Sequence, residues 1–230
     1  MRNSPPKVMP ADLMEEVVPR EKAPAAWLAV TRNGGAPGID GRTTPQLRDQ
    51  GCQHWEAIRA KRLAGTYGPS PGRRVELPKP NGGVRRRGLP TGLDRWLQPM
   101  LLQKLPAIFD PTCSAHSFGF RPGKSAHAAV RAAQRYVQAG KDWVVDRDLT
   151  KFFDRGNHDR LRNRIGQTLR DQRVLGLMGR YLRAGVMVAG LVQASAAGTP
   201  QGGPRSPLWA NIYLDALARP LEQRGLAFSR

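Results

Sequence analysis

A chain of 230 residues with 37 Lys and Arg against 18 Asp and Glu carries a net charge of +19. Such an excess favours polyanions through counterion release and electrostatic steering, and it suits a ribosomal protein, an RNA chaperone or a polymerase equally. Two cysteines, Cys52 and Cys113, leave no room for a disulfide framework or a four-cysteine zinc site. The polar start leads into no signal-peptide core, and no run of about 18 apolar residues occurs, so a soluble, cytoplasmic chain without a membrane partner is expected.

Taken in chain order, residues 1–11 read as a loose leader. Glu15 to Val30 has helical spacing, with Pro24 expected to interrupt it. The loop G-G-A-P-G-I-D-G-R-T follows, and its glycines permit left-handed backbone and close approach to a ligand. A second amphipathic stretch runs from about Thr44 to Leu63. Arg73 to Leu77 and Gly83 to Leu89 are strand-like around P-K-P-N-G-G, where Asn81-Gly82 signals a tight turn, so a basic hairpin is predicted. Thr91 with Asp94 three positions on predicts an acidic capping box, and Pro99 should kink the helix that follows. Ser125 to Val137 predicts another helix closing at Gly140.

Trp143 to Leu149 is predicted as the central strand. Alternation puts Trp143, Val145, Arg147 and Leu149 on one face and Val144, Asp146 and Asp148 on the other. Leu161 to Leu169 and Val174 to Leu182 keep helical spacing, and Val186 to Gln193 reads as a hairpin arm around Gly190. Ser206-Pro207 opens a last helix, with Pro220 weakening its final turn. Helices mixed with separated hairpins favour an α+β fold.

Chemistry concentrates in three places. Asp146 and Asp148 repel one another and resist burial without a cation or donors, so they are either wet at a strand end or metal-bound. Arg147, on the face meant for packing, would be costly to bury unpaired. The segment A-G-T-P-Q-G-G-P-R-S-P joins flexible turns to a helix start whose N–H groups could meet a sugar or phosphate. Six basic residues and one acid fall between Arg73 and Arg87, a charge run that either tracks a phosphate backbone or is simply solvated.

The ordered blocks N-x-G-A-P-G-I-D-G-R-T, P-K-P-N-G-G-V-R, F-D-P-T-C-S-A-H-S-F-G-F-R-P-G-K-S-A-H, D-L-T-K-F-F-D-R-G-N-H-D and G-T-P-Q-G-G-P-R-S-P resemble the bacterial group II intron reverse transcriptase and maturase family. The likeness runs from about residue 12 to 230. It implies a right-hand polymerase, with fingers and the start of the palm over residues 12–140 and a partial palm over 141–230. Asp148 would be the catalytic aspartate that binds Mg²⁺, with Asp146 a nearby acid of the same site. Phe153 would lie under the nucleotide sugar, Gln201 would contact the nucleotide, and Lys79 and Arg85 would reach its phosphates. Arg121 and its neighbours would support the template side. The implied partners are template and intron RNA, a DNA primer or target, and deoxynucleotides; a homodimer is left open.

A two-metal clamp needs further aspartates, which the family carries in a Tyr-Ala-Asp-Asp turn following a stretch like the one ending here at Arg230. Arg147, Gly156, Arg205 and Trp209 also stand where the family prefers aliphatic or leucine-like residues. The expectation is a polymerase-derived chain, incomplete and inactive as it stands. The alternative is an intron RNA-binding module of maturase type.

Overall fold

A computed structural model describes residues 11–32, 34, 36–78, 80, 82–149, 152–194 and 206–230; the side chains of Lys22, Ala29, Thr44, Gln50, Cys52, Arg85, Arg86, Phe153 and Asp154 lie outside that description. The first apolar stretch splits into α1 (Leu13–Val17) and α2 (Lys22–Arg32). The break falls at Pro19, not at Pro24 as expected. Pro24 sits in the first turn of α2, where a missing N–H costs no intrahelical bond. The second stretch likewise divides at His54 into α3 (Thr44–Gln53) and α4 (Trp55–Leu63).

At Gly38 the glycine loop between α2 and α3 approaches other backbone of the protein. A Cβ on Gly38 would stand 2.6 Å from the Cα of Thr91 and 2.8 Å from the Pro90 carbonyl oxygen. Two residues on, Asp40 Oδ2 accepts from the Gly92 amide at 3.3 Å. The loop therefore clamps the start of the helix after the basic hairpin. That hairpin forms as predicted from β1 (Gly72–Pro78) and β2 (Val84–Leu89), in register from Arg73 opposite Leu89 to Pro78 opposite Val84.

The capping box also forms. Thr91 Oγ accepts from the Asp94 amide at 3.2 Å to start α5 (Gly92–Leu102). The Asp94 carboxylate accepts from Thr91 Oγ at 2.8 Å, Tyr67 O–H at 2.9 Å and the Ser70 amide at 3.1 Å. Pro99 does not end α5, which continues to Leu102. After α6 (Leu105–Phe109) and a 3₁₀ turn, a long loop leads to α7 (Ala126–Gln138), capped by Ser125 and closed by Gly140 at φ 80°. Then come α8 (Phe152–Arg155), α9 (His158–Gly166), α10 (Gln172–Arg183), β3 (Val186–Val188), β4 (Leu191–Gln193) and α11 (Ser206–Gln223).

The mixed α+β architecture is as expected, and its one described sheet joins both hairpins in the order β2-β1-β3-β4. β1 and β3 run parallel, Gly72 opposite Val186, and the Gly72 amide donates to Gly185 O at 3.0 Å. Ala189 at φ 49° and Gly190 at φ 81° make the β3–β4 turn, both positive as a type I′ turn requires. Behind the sheet, one apolar cluster draws on α1, α2, α4, α5, α6, α9, α10 and α11. Trp96 is its aromatic hub, edge-on to Trp27 at 6.0 Å and tilted against Trp55 at 5.4 Å. Asp171 ties the N-terminal α1 to α10: its carboxylate accepts from the Met14 amide at 2.8 Å and from the Arg173 amide at 2.9 Å.

The predicted central strand does not form. Residues 141–149 have no regular secondary structure, and Trp143, Val144, Val145 and Leu149 are 95, 80, 76 and 48% exposed. Alternation supplies a strand's faces but not its neighbour, and a lone strand has no ladder to hold it. Among the described residues no strand pairs with this segment.

Candidate nucleotide and nucleic-acid site

Asp146 and Asp148 lie in that open segment, both exposed, and among the described residues no hydrogen bond or ion pair engages either carboxylate. Two solvated carboxylates one residue apart suit a hard, oxygen-seeking cation such as Mg²⁺ as part of a ligand set. Among the described residues no group of three or more His, Cys, Asp or Glu is placed to complete it. Arg147 is exposed too, so the expected cost of burying its guanidinium does not arise.

The other predicted site residues distribute as follows. Phe153 belongs to α8 and Arg85 to β2, opposite Leu77; their side chains lie outside the description. Lys79, Gln201 and Arg205 fall outside the described residues. Next to Phe153, Phe152 meets Tyr213 of α11 edge-on at 5.6 Å, so α8 is seated against the last helix.

Two departures from the family pattern prove to be neighbours. Gly156 and Trp209 line the same small cavity of about 20 Å³, with Phe152, Leu161 and Tyr213. A Cβ on Gly156 would find only the Phe152 carbonyl oxygen, at an ordinary 3.6 Å, while Trp209 is 3% exposed. Trp209 is thus accommodated in the core, and the backbone at Gly156 has room for a side chain.

The loop after α6 is held by charge. Arg121 Nε donates to Asp110 Oδ1 at 2.6 Å, its Nη2 to the Asp110 carbonyl at 2.8 Å and its Nη1 to Ser117 O at 3.0 Å. Burial works against that charge, but Asp110 outweighs it and raises the Arg121 pKa above the usual arginine range. Arg121 is therefore engaged by Asp110 and Ser117 within the protein. From the other side, Asp215 of α11 accepts from the Ser114 amide at 2.8 Å and from Arg219 Nε at 3.2 Å, with Arg164 at 3.7 Å. Glu222 accepts from Ser114 Oγ at 2.5 Å, and Arg219 Nη2 donates to Thr112 O.

Sequence reasoning missed Asp215 and the exposed Phe120 of this loop. Asp215 had a signal: it sits three residues from Ile212 and from Ala218 on a buried stripe, with Arg219 one turn on. Phe120 had none beyond Gly119 before it and Pro122 two residues on.

With this geometry in place, comparison with known proteins identifies the class. The chain matches the reverse transcriptase (RNA-dependent DNA polymerase) family over residues 77–229 and belongs to it. Its membership is of the group II intron reverse transcriptase and maturase kind. It is 33% identical over 214 residues to Protein YkfC of Escherichia coli (strain K12), covering 91% of this chain and 56% of that protein. It is 35% identical over 167 residues to the group II intron-encoded protein LtrA of Lactococcus lactis subsp. cremoris, covering 72% of this chain and 28% of LtrA. A chain of a partial Cas6-RT-Cas1–Cas2 complex shares the fold at a TM-score of 0.61 and 21% identity, over 92% of this chain and 35% of that one. The chain thus spans under two thirds of each of these relatives. No helix among the described residues is long and apolar enough to cross a membrane.

Proposed function

We propose that residues 12–140 are the fingers and the start of the palm, and residues 141–230 part of the palm, of an RNA-directed DNA polymerase of group II intron type. Asp148, with Asp146, holds Mg²⁺ where a primer end meets a deoxynucleotide. The observation that carries this reading is the family match across residues 77–229, within which Asp148 is open to solvent in a chain of net charge +19.

Bound Mg²⁺ would supply Lewis acidity to the attacking 3′-hydroxyl and to the leaving pyrophosphate. The chain's own residues position. Arg85 and Lys79 draw the triphosphate to the hairpin, Gln201 contacts the nucleotide, and Phe153 lies under its sugar. Template or intron RNA lies along the basic β1–β2 hairpin, and a DNA primer or target supplies the 3′ end. A two-metal clamp calls for more carboxylates than Asp146 and Asp148 provide. We therefore propose that these 230 residues alone bind RNA, in the manner of a maturase module, without copying it.

The test pairs two assays on the purified chain. RNA binding, followed by fluorescence anisotropy across a salt series, is expected to weaken steeply, with log K falling by several units per tenfold rise in salt. Primer extension on an RNA template with Mg²⁺ and deoxynucleotides is expected to give no product. Salt-insensitive binding would remove the RNA reading, and robust extension would overturn the claim that more acids are needed.

A further inference from the structure

Phe120 is 87% exposed, yet its backbone sits at φ 53°. A bulky residue at positive φ is a steric outlier, held only where the surroundings over-determine it. Here they do. Arg121 is locked to Asp110 and Ser117 immediately after it, and Asn211 of α11 donates to Gly119 O at 2.9 Å immediately before it. The strain does nothing for the core, because the ring it orients is in water. Glycine at this position would relieve the backbone and cost no packing.

The ring borders a cavity of about 420 Å³, lined also by Arg121, Pro122, Leu208 and Asn211. Asp110 also lines the cavity, but its carboxylate is paired with Arg121 at 2.6 Å, and the chain around the ring is basic: from Pro111 to Lys141 there are Arg121, Lys124, Arg131, Arg135 and Lys141, and no Asp or Glu. Lys124 lies 4.9 Å over the ring of Phe118, two residues away. A rigid, exposed aromatic face beside a polyanion-attracting surface is what an unpaired nucleobase stacks on.

We propose that Phe120 is a stacking platform for one unpaired base of a bound RNA strand, with the adjoining cavity receiving that base. This rests on the RNA-binding reading above. In a duplex each base is stacked between its neighbours and offers no free face, so the contact discriminates single strands from duplex.

The test uses the full chain and a single-stranded RNA oligonucleotide bearing 5-iodouridine. Ultraviolet irradiation of the complex is expected to crosslink Phe120, read by mass spectrometry of the digest. Phe120→Leu and Phe120→Gly are expected to weaken single-strand binding by about 10-fold and Phe120→Trp to retain it. Duplex RNA binding should be unchanged in all three. Phe120→Gly should unfold no earlier than the parent on heating, which separates lost binding from lost structure. If the parent binds RNA but Phe120→Leu binds single strands equally well, or the crosslinks lie only elsewhere, the platform is refuted while the RNA reading stands. If the parent binds no RNA, the RNA reading itself falls and takes the platform with it.

Discussion

Asp171→Ala is expected to destabilise the protein by about 3 kcal/mol, read as a shift in the denaturant midpoint at unchanged slope. The side chain is 1% exposed and does three jobs. It caps α10 through the Arg173 and Val174 amides at 2.9 and 3.3 Å, anchors α1 through the Met14 amide at 2.8 Å, and holds the Arg173 guanidinium at 3.0 Å. Removing it orphans buried donors at two helix ends. Arg173 remains paired with Glu15 at 2.6 Å, and it is a third exposed, so its share of the loss is modest.

The same carboxylate makes stability depend on pH. Burial alone would raise its pKa, but the Arg173 side chain and the amides of Met14, Arg173 and Val174 outweigh burial and leave it lowered. A folded pKa below the unfolded value of about 3.9 means the stabilisation is present above that value. It is lost as pH falls through the folded pKa. Denaturation curves below pH 5 should therefore show a steeper acid loss in the parent than in Asp171→Asn. Parallel curves would show that the carboxylate's charge contributes nothing.

Replacing Arg85, Arg86 and Arg87 together by Gln is expected to weaken RNA binding roughly 100-fold near 0.1 M salt and to flatten the salt slope by about 3. The three stand on β2 opposite Leu77, Glu76 and Val75, on a strand whose single described acid partner is Glu76. Glu76 is itself engaged by Arg74 at 3.5 Å. A loss of affinity with an unchanged salt slope would place the phosphate contacts elsewhere.

Local chemistry was legible in the residues; partnerships across the chain were not. The Thr91–Asp94 box, the Ser125 cap, the Gly140 helix end and the pairing of β1 with β2 all depend on residues close to one another in the chain, and each formed where expected. The break between α1 and α2 moved to Pro19 because Pro24 could be absorbed in a first turn. Pairing of β1 with β3 joins residues more than a hundred positions apart, and no pattern in either strand announces it. Asp171 reads as a lone acid among seven arginines; its partner Met14 is 157 positions away. Gly38 shows the same limit. A glycine that permits close approach is visible, but what approaches it, here the backbone of Thr91, is not. The strand expected over Trp143–Leu149 failed for the complementary reason: its own alternation is intact, and no described neighbour meets it. Asp146 and Asp148 were singled out as the acids of interest, and their exposure was one of the two outcomes foreseen.

The most direct measurement is hydroxyl-radical mapping of the RNA-bound chain with Fe²⁺ in place of Mg²⁺, in ascorbate and peroxide. Iron held by Asp146 and Asp148 would cut the backbone beside them, and Asp148→Asn should abolish those cuts while leaving RNA affinity intact. Cuts that persist unchanged in Asp148→Asn, or that fall only elsewhere, would contradict the assignment of this carboxylate as the metal ligand.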